Sequence, residues 1–285
     1  MQTIRQLEVL RNAVHALRQG GGRLALIPTM GALHEGHLAL VRQAARAAEH
    51  VAVSIFVNPR QFGPNEDLGR YPRQLERDAT LLRGEGVALL WAPDACVMYP
   101  PDYATNVSIA GVGEGLCGAS RPGHFDGVAT VVLKLFNQVR PDCAFFGEKD
   151  WQQLTLIRRM GRDLDLTQPA ADAIHAVPTV READGLAMSS RNAYLSAEQR
   201  RQAAVLPQAM EHALAQISGG APVAEALEEL RITLLSSGFA GVDYAELRAG
   251  DTLHLLDSAT PDARLFVAAR IGATRLIDNM PLVQS

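Results

Sequence analysis

The sequence predicts an α/β fold: a parallel β-sheet covered by helices in residues 1–177, followed by a smaller α+β domain in residues 178–285. In the first part, short apolar and β-branched segments alternate with amphipathic ones, and polar turns separate them. This alternation is typical of parallel sheets with helices on both faces. After residue 178 two helical segments are followed by three neighbouring strand-like segments, which favours a separate α+β unit.

Local periodicity and capping signals predict the individual elements. We expect the first helix to begin at a capping box in residues 3–6, and the sixth at another one that starts at Ser196. The predicted helices are residues 4–17, 35–49, 74–85, 128–139, 151–163, 196–217 and 223–235. The predicted strands are residues 24–27, 51–57, 88–91, 143–146, 242–247, 264–269 and 275–277.

Composition excludes several classes of protein. About half of the 285 residues are apolar and a fifth are charged, as in ordinary globular chains. The net charge of −4 argues against a nucleic-acid partner. The sequence contains no run of 18 apolar residues, so we expect no membrane span. The first residues lack the apolar region of a secretory leader, and the three cysteines are widely spaced, so we expect a cytoplasmic protein.

Residues 28–37, PTMGALHEGH, form the most informative motif, because they follow a predicted strand and open a predicted helix. The N-terminus of a helix offers N–H groups and a partial positive charge, which favour phosphate. His34 and His37 lie on one face of the first turn, and Gly36 leaves room for a nucleotide near the backbone. Imidazoles here can donate hydrogen bonds to phosphate oxygens as charge builds on a leaving group.

Two further motifs carry groups suited to a triphosphate. In residues 147–150, GEKD, Lys149 can neutralise phosphates and Asp150 can hold a magnesium ion that bridges them. Only two of the 27 basic residues are lysines, which favours a specific use for Lys149, although chance also accounts for it. For the other, Lys134, we expect a stem packed on the sheet and a head in water. Residues 187–192, AMSSRN, place two hydroxyls and an arginine on a turn-rich linker.

Amide side chains mark a candidate site for a small polar substrate. Residues 56–62, FVNPRQF, deliver Asn58 and Gln61 at the end of a predicted strand. These neutral hydrogen-bonding groups suit a hydroxylated small molecule, and Gln153 can serve the same purpose from the opposite wall. Ordinary turn polarity is the alternative for each amide taken alone.

Other motif-based interpretations are weaker. His34 and His37 could ligate zinc, but no HExxH motif and no obvious third ligand accompany them. Residues 111–116 lack the third glycine of a dinucleotide-binding fingerprint, and neither GxxxxGK[ST] nor GxSxG occurs. The sequence therefore favours a nucleotide site without a P-loop.

Five separated motifs resemble, in their order, the pantothenate synthetase (pantoate–β-alanine ligase) family of the HIGH-motif nucleotidyltransferase superfamily. They are PTMGALHEGH, SIFVNPRQF, RPGHFDGV, FFGEKD and MSSRN, within residues 24–195. From residue 196 onward the resemblance rests on length and on an expected lid domain. Trp151 stands where the family often has a smaller aromatic, and Arg60 fills a variable position. The loop that corresponds to KMSKS has no lysine, so Arg191 would supply its charge.

The resemblance implies a Rossmann-like nucleotidyltransferase domain with a C-terminal α+β lid. It also implies a two-step reaction, in which pantoate attacks the α-phosphate of ATP to give pantoyl-adenylate and pyrophosphate. β-Alanine would then attack the acyl carbon and release pantothenate and AMP. The implied cofactor is Mg²⁺, the implied partners are the small-molecule substrates, and the implied assembly is a homodimer.

The same resemblance assigns roles to individual positions. Catalytic groups would be His34, His37, Lys149 and Arg191, with His37 as proton donor, and Asp150 would lie near the metal. The ATP site would comprise Met30, Gly31, His34, His37, Gly147, Lys149, Asp150, Val180, Met188, Ser189, Ser190 and Arg191. Substrate contacts would be Gln61 and Gln153 for pantoate, Gln61 also for β-alanine, and Asn58, Arg121 and His124 as accessory contacts.

Two other functions stay open. The first is an HxGH adenylyltransferase that transfers AMP to a phosphorylated vitamin precursor, and the second is a nucleotide-binding module without catalysis. Dependence of AMP release on β-alanine distinguishes the first, and formation of an adenylate distinguishes the second. The joint presence of His37, Lys149 and Arg191 favours catalysis.

Overall fold

The computed structural model describes residues 1–64 and 66–282, which form two compact units. The first unit comprises Met1–Gly113, Arg121–Glu148 and Gln153–Pro178. The second comprises the rest, including the short segments Glu114–Ser120 and Lys149–Gln152. The domain boundary at residues 177 and 178 stays a prediction. Within the described ranges, no helix is long and apolar enough to cross a membrane.

A six-stranded sheet forms the centre of the first unit, and every pair of neighbouring strands in it is parallel. Its strands are β1 Gln2–Ile4, β2 Leu24–Thr29, β3 His50–Ile55, β4 Leu89–Trp91, β5 Cys143–Gly147 and β6 Ile174–Val177. Their order across the sheet is β1-β4-β3-β2-β5-β6. The central strands are buried along most of their length, as expected of a parallel sheet, and the predicted α/β class is confirmed.

Helices connect these strands. They are α1 Leu7–Gln19, α2 Glu35–Ala47, α3 Leu75–Gly84, α4 Ala95–Met98, α5 Cys117–Ser120, α6 His124–Val139 and α7 Trp151–Asp163, of which α5 and the first residues of α7 belong to the second unit. Leu40, Val41 and Ala44 of α2 join Ile27 and Val53 in one apolar cluster. Burial of this face holds the N-terminus of α2 at the carboxyl end of β2.

The parallel register brings the carboxyl ends of β2 and β3 together. Thr29 is the register partner of Ile55, so the turns that follow both strands start at one edge of the sheet. In open α/β sheets this edge is where ligands bind. The fold thus places the HxGH turn and the Asn58 turn side by side.

The second unit contains an antiparallel sheet with helices packed on it. Its strands, in the order β7-β8-β9, are β7 Gly241–Ala249, β8 Ala263–Ile271 and β9 Thr274–Pro281. Its remaining helices are α8 Ala197–Ala203, α9 Val205–Ser218 and α10 Val223–Ser236. Leu206 and Met210 of α9 share a core with Leu230 of α10 and with Leu265 and Val267 of β8. The predicted α+β organisation is confirmed.

Three local predictions were wrong or incomplete. Gln2–Ile4 forms β1 beside β4, and α1 begins only after Gln6, whose side chain makes no cap, so residues 3–6 are not a capping box. Strand β6 was not predicted. The helix expected from residue 196 to 217 is two helices, because Pro207 has no N–H to donate to Ala203 and its ring disfavours a continuous helix. The capping box at Ser196 is present.

Candidate active site

The two histidines of the HxGH turn are held by the backbone of their own helix. His34 is the N-cap of α2, and its Nδ1 accepts a hydrogen bond from the N–H of Gly36 at 3.2 Å. Nδ1 of His37 accepts from the N–H of His34 at 3.3 Å, and the ring centroids are 4.2 Å apart. A neutral imidazole that accepts at Nδ1 carries its proton at Nε2. Both rings therefore offer an Nε2–H donor at the positive end of the helix.

A buried carboxylate fixes the turn that precedes these histidines. Asp78 on α3 is 1 % exposed, and its two oxygens accept from the N–H groups of Ala32 at 2.9 Å and Leu33 at 3.0 Å. Gly31 has a φ of +83°, and a Cβ there would lie 3.1 Å from Asp78 Oδ2. Asp78 thus shapes the approach to the helix N-terminus, a role that the sequence did not indicate, because an aspartate within a helix is normally exposed.

A hydrogen-bond chain orients Gln61. Asn58 is 1 % exposed, and its Nδ2 donates to Gln61 Oε1 at 3.1 Å and to the carbonyl of Gly127 at 3.0 Å. The hydroxyl of Tyr99 donates to Asn58 Oδ1 at 2.9 Å, and burial raises the pKa of Tyr99 to about 12, so this hydroxyl keeps its proton. Gln61 Nε2 donates to the sulfur of Met30, which lies 3.1 Å away.

Arg121 and His124 hold the main chain of the same glutamine. The carbonyl of Gln61 accepts from Arg121 Nη2 at 3.2 Å and lies 2.8 Å from His124 Nδ1. Arg121 also donates to His124 Nε2 at 3.0 Å, which leaves the imidazole proton on Nδ1 for that carbonyl. The Arg121 guanidinium binds both carboxylate oxygens of Glu66. Burial raises the pKa of Glu66, but the hydrogen bonds from Arg121, its positive charge and a backbone hydrogen bond with Gly63 act together in the other direction, and the net pKa lies below the usual value.

In the second unit, Lys149 and Asp150 belong to a 3₁₀ turn, Glu148–Asp150. The Nζ of Lys149 lies 3.8 Å from Asp150 Oδ2, and the carbonyl of Lys149 accepts from Asn279 Nδ2 at 2.9 Å. A single accessible carboxylate fits Mg²⁺, which is usually held by one or two protein carboxylates together with substrate phosphates and water. Across residues 1–64 and 66–282, no three His, Cys, Asp or Glu side chains are grouped to hold a metal ion by themselves.

The serine- and arginine-bearing loop follows a short hairpin in the second unit. Arg181 and Ala187 form a bridge, and the N–H of Met188 donates to the carbonyl of Val180 at 3.0 Å. Ser189 then caps a 3₁₀ helix, Ser190–Tyr194, as its Oγ accepts from the N–H of Arg191 at 3.3 Å. This serine cap satisfies the N–H of Arg191 and fixes the turn that carries the side chains of Ser189, Ser190 and Arg191.

The structure thus groups the sequence-predicted residues into local sets. In the first unit, His34 lies against His37, and Met30, Asn58, Arg121 and His124 all contact Gln61. Gly147 ends β5, and Gln153 lies half-buried on α7. In the second unit, Lys149 is beside Asp150, and Val180 and Met188 pair ahead of the Ser189–Arg191 turn. The roles of these residues stay predictions.

Lys134, the other lysine, is engaged with aromatic rings. Its Nζ lies 4.6 Å from the ring centroid of Tyr103 and 5.9 Å from that of Tyr99, and burial lowers its pKa. These are cation–π distances. The ammonium group of Lys134 therefore packs against the rings of Tyr103 and of Tyr99, the tyrosine that donates to Asn58. The sequence had predicted that this group would be exposed to water.

A parallel sheet that delivers an HxGH turn to a helix N-terminus defines an α/β nucleotidyltransferase type of fold. The model of the family described as pantoate–beta-alanine ligase matches residues 2–281. The chain therefore belongs to the pantoate–beta-alanine ligase family, and it is a ligase of pantothenate biosynthesis.

Curated relatives and solved structures agree with this assignment. The pantothenate synthetase of Novosphingobium aromaticivorans is 65% identical over 98% of both chains, and that of Sphingopyxis alaskensis is 60% identical over 99% of this chain and 100% of its own. A pantothenate synthetase structure from Thermus thermophilus is 47% identical, with a TM-score of 0.92 over 99% of each chain. A Francisella tularensis pantoate–beta-alanine ligase, complexed with beta-gamma ATP and beta-alanine, is 33% identical, with a TM-score of 0.82 over 99% of this chain and 98% of its own.

Proposed function

We propose that the enzyme joins (R)-pantoate to β-alanine at the expense of ATP, through a pantoyl-adenylate. A pantoate carboxylate oxygen attacks the α-phosphorus, and the bond from that phosphorus to the bridging oxygen of pyrophosphate breaks. The amine of β-alanine then attacks the acyl carbon. The bond from this carbon to the adenylate oxygen breaks, which yields pantothenate and AMP, and the amine loses a proton.

The observation that carries the proposal is that Nδ1 of both His34 and His37 accepts a backbone N–H at the N-terminus of α2, which leaves the proton of each neutral ring on Nε2. Donors held by a backbone network need no reorganisation as negative charge develops on departing pyrophosphate. His37 is the stronger candidate for the proton donor. The complex of the Francisella relative with beta-gamma ATP and beta-alanine supports the same ligands here.

We assign the remaining groups according to their chemistry. Lys149, Ser189, Ser190 and Arg191 bind the triphosphate, and Met30, Gly31, Gly147, Val180 and Met188 line the nucleotide site. Asp150 would hold Mg²⁺, which supplies charge neutralisation between phosphate oxygens when bound.

Gln61 and Gln153 bind pantoate, and Gln61 also faces β-alanine. Nε2 of Gln61 offers donors to a hydroxyl or carboxylate oxygen, because its Oε1 is already engaged by Asn58. Asn58, Arg121 and His124 support this glutamine through the contacts described above. A lid role for residues 178–285, a homodimer and a cytoplasmic location complete the proposal.

Pyrophosphate and AMP release test this function. With ATP, Mg²⁺ and pantoate alone, we expect one equivalent of pyrophosphate per site in a burst, and added β-alanine should convert the burst to steady AMP release. An adenylyltransferase would release pyrophosphate without AMP, and a binding module would release neither. Turnover that responds to neither acid nor amine would contradict the proposed substrates.

A further inference from the structure

Two adjacent residues near the end of β9, Asp278 and Asn279, bind the two segments of the second unit that carry the proposed phosphate-binding groups. Both are almost completely buried, at 2 % and 3 % exposure. Neither belongs to the HxGH, GEKD or MSSRN motifs, and the proposed reaction assigns no step to either. Polar side chains buried to this degree need specific partners, so their contacts indicate what they do.

Asp278 holds the hairpin that leads into the Ser189–Arg191 turn. Its carboxylate accepts from Arg181 Nη1 at 2.6 Å and from Arg181 Nη2 at 2.9 Å. The same guanidinium donates to the carbonyl of Gly185 at the tip of the hairpin, at 2.9 Å. One bidentate ion pair therefore ties both the base and the tip of the hairpin to β9. Val180 and Met188, whose backbones pair at 3.0 Å, flank the bridge between Arg181 and Ala187 in this hairpin.

Asn279 holds the backbone of Lys149. Its Nδ2 donates to the carbonyl of Lys149 at 2.9 Å, while its Oδ1 accepts from Arg264 Nη1. The Arg264 guanidinium lies 3.6 Å from the ring centroid of Trp151, whose Nε1 donates to the carbonyl of Gly250. Asn279 and its partner Arg264 thus fix residues on both sides of Asp150.

We propose that Asp278 and Asn279 are positioning residues for the nucleotide site. Together they anchor the hairpin of residues 180–188 and the backbone of Lys149 to the same strand, β9. This inference rests on the proposed function, because it assigns a purpose to groups whose phosphate-binding role is itself proposed. Consecutive residues of a strand that is paired along its length keep a fixed separation. Loss of either contact therefore relaxes a phosphate-binding segment without removing any phosphate-binding side chain.

The test compares variants for binding of a non-hydrolysable ATP analogue with Mg²⁺, measured by calorimetry, and for the KM of ATP and of pantoate. Asp278→Asn removes the charge that pairs with Arg181. Asn279→Asp keeps an acceptor for Arg264 but replaces the donor to Lys149. We expect each to weaken analogue binding and to raise the KM of ATP by about tenfold, with the KM of pantoate changed less than about twofold.

Asp243→Asn is the matched control, because Asp243 on β7 pairs with Arg270 and Arg275 in the same sheet and contacts neither phosphate-binding segment. It should lower the thermal midpoint as the other variants do, yet leave analogue affinity unchanged. Should Asp278→Asn fail to fold, Arg181→Lys loses the bidentate contact but keeps the charge, and the same loss of affinity is expected.

Equal analogue affinity in wild type, Asp278→Asn (or Arg181→Lys) and Asn279→Asp would overturn the inference, as would an equal loss in Asp243→Asn. A wild type that binds the analogue but forms no adenylate would refute the proposed reaction alone. A wild type that does not bind the analogue would overturn both.

Discussion

The side-chain amide of Asn58 donates to Oε1 of Gln61 across 3.1 Å, and both side chains are buried. The orientation of Asn58 is itself determined, because its other amide contacts are the carbonyl of Gly127, the N–H of Arg60 and the hydroxyl of Tyr99. Gln61 Oε1 is therefore engaged by Asn58, whereas its Nε2 carries two hydrogens, of which one is donated to the sulfur of Met30 and the other can be donated to a ligand. The carbonyl of Gly127 accepts from Asn58 Nδ2 and so fixes which end of the Asn58 amide faces Gln61. This in turn determines that the NH₂ group of Gln61 is the end available to a ligand.

Replacing Asn58 with Asp should weaken pantoate binding. A carboxylate cannot donate to Gln61 Oε1 or to the carbonyl of Gly127, so the glutamine loses its fixed orientation. We expect the KM of pantoate to rise about tenfold and stability to fall by about 1–3 kcal/mol. Steady-state kinetics and urea unfolding measure both.

Tyr99→Phe is the graded companion of this variant, because it removes one donor to Asn58 and leaves the amide in place. Its effect on the KM of pantoate should have the same sign and be smaller. Tyr103→Phe, on the neighbouring ring, controls for the loss of a hydroxyl from the aromatic cluster. A normal KM in Asn58→Asp would show that the orientation of Gln61 is irrelevant to pantoate.

Replacing Asp78 with Asn should disturb the turn before α2. The carboxylate accepts from two backbone N–H groups, whereas an amide has one oxygen and would direct its NH₂ at the second donor. Loss of one charge-assisted bond predicts a destabilisation of about 1.5–3 kcal/mol and weaker ATP binding. Denaturant unfolding and nucleotide titration check this. Thr80→Ala, on the exposed side of the same helix, should leave nucleotide binding unchanged and change stability by less than about 1 kcal/mol.

Two substitutions of His37 separate its capping role from its proposed chemistry. Asn can still accept from the N–H of His34 near the Nδ1 position but offers no donor near the Nε2 position. Gln at this third helical position can also accept from that N–H, as Gln199 does in the capping box at Ser196, and its amide NH₂ offers a donor. We expect His37→Asn to keep the stability and to lose about 10²–10³-fold in turnover. His37→Gln should also keep the stability, because it retains the capping contact, and should keep more of the activity than His37→Asn. Unchanged turnover in His37→Asn would remove His37 from the mechanism.

The ion pair of Glu66 with Arg121 should make stability depend on pH. The pKa of Glu66 is lowered in the folded protein, so the stabilisation is present above the ordinary glutamate pKa of about 4.3 and is lost as pH falls through the folded value. The difference in unfolding free energy between wild type and Glu66→Gln should therefore be positive at pH 7 and shrink toward acidic pH. Glu76→Gln, on an exposed position of α3, is the control. A difference that does not vary with pH would contradict the pairing.

The features that the sequence predicted best are local ones. His34 and His37 meet because three residues in a helix form almost one turn, and the Ser196 capping box needs only four residues. The parallel sheet followed from the alternation of short apolar segments with amphipathic ones along the chain. In each case the information lies in single elements or in their order along the chain.

The features that the sequence did not predict depend on partners distant in the chain. The strand Gln2–Ile4 has three residues, too few for a period, and exists because Leu89–Trp91 lies beside it. Asp78 is buried because loop N–H groups 45 and 46 residues away need an acceptor. Asp278 and Asn279 follow the same pattern, since only the folded second unit brings Arg181 and Lys149 to them.

The most direct test of the central claim is the fate of a carboxylate oxygen. The enzyme is incubated with ATP, Mg²⁺, β-alanine and pantoate labelled with ¹⁸O in its carboxylate, and the products are analysed by mass spectrometry. An acyl-adenylate route predicts one ¹⁸O atom in AMP and none in pyrophosphate, because the oxygen that attacks the α-phosphorus leaves with it. Label in orthophosphate together with ADP, or AMP without label, would contradict the account.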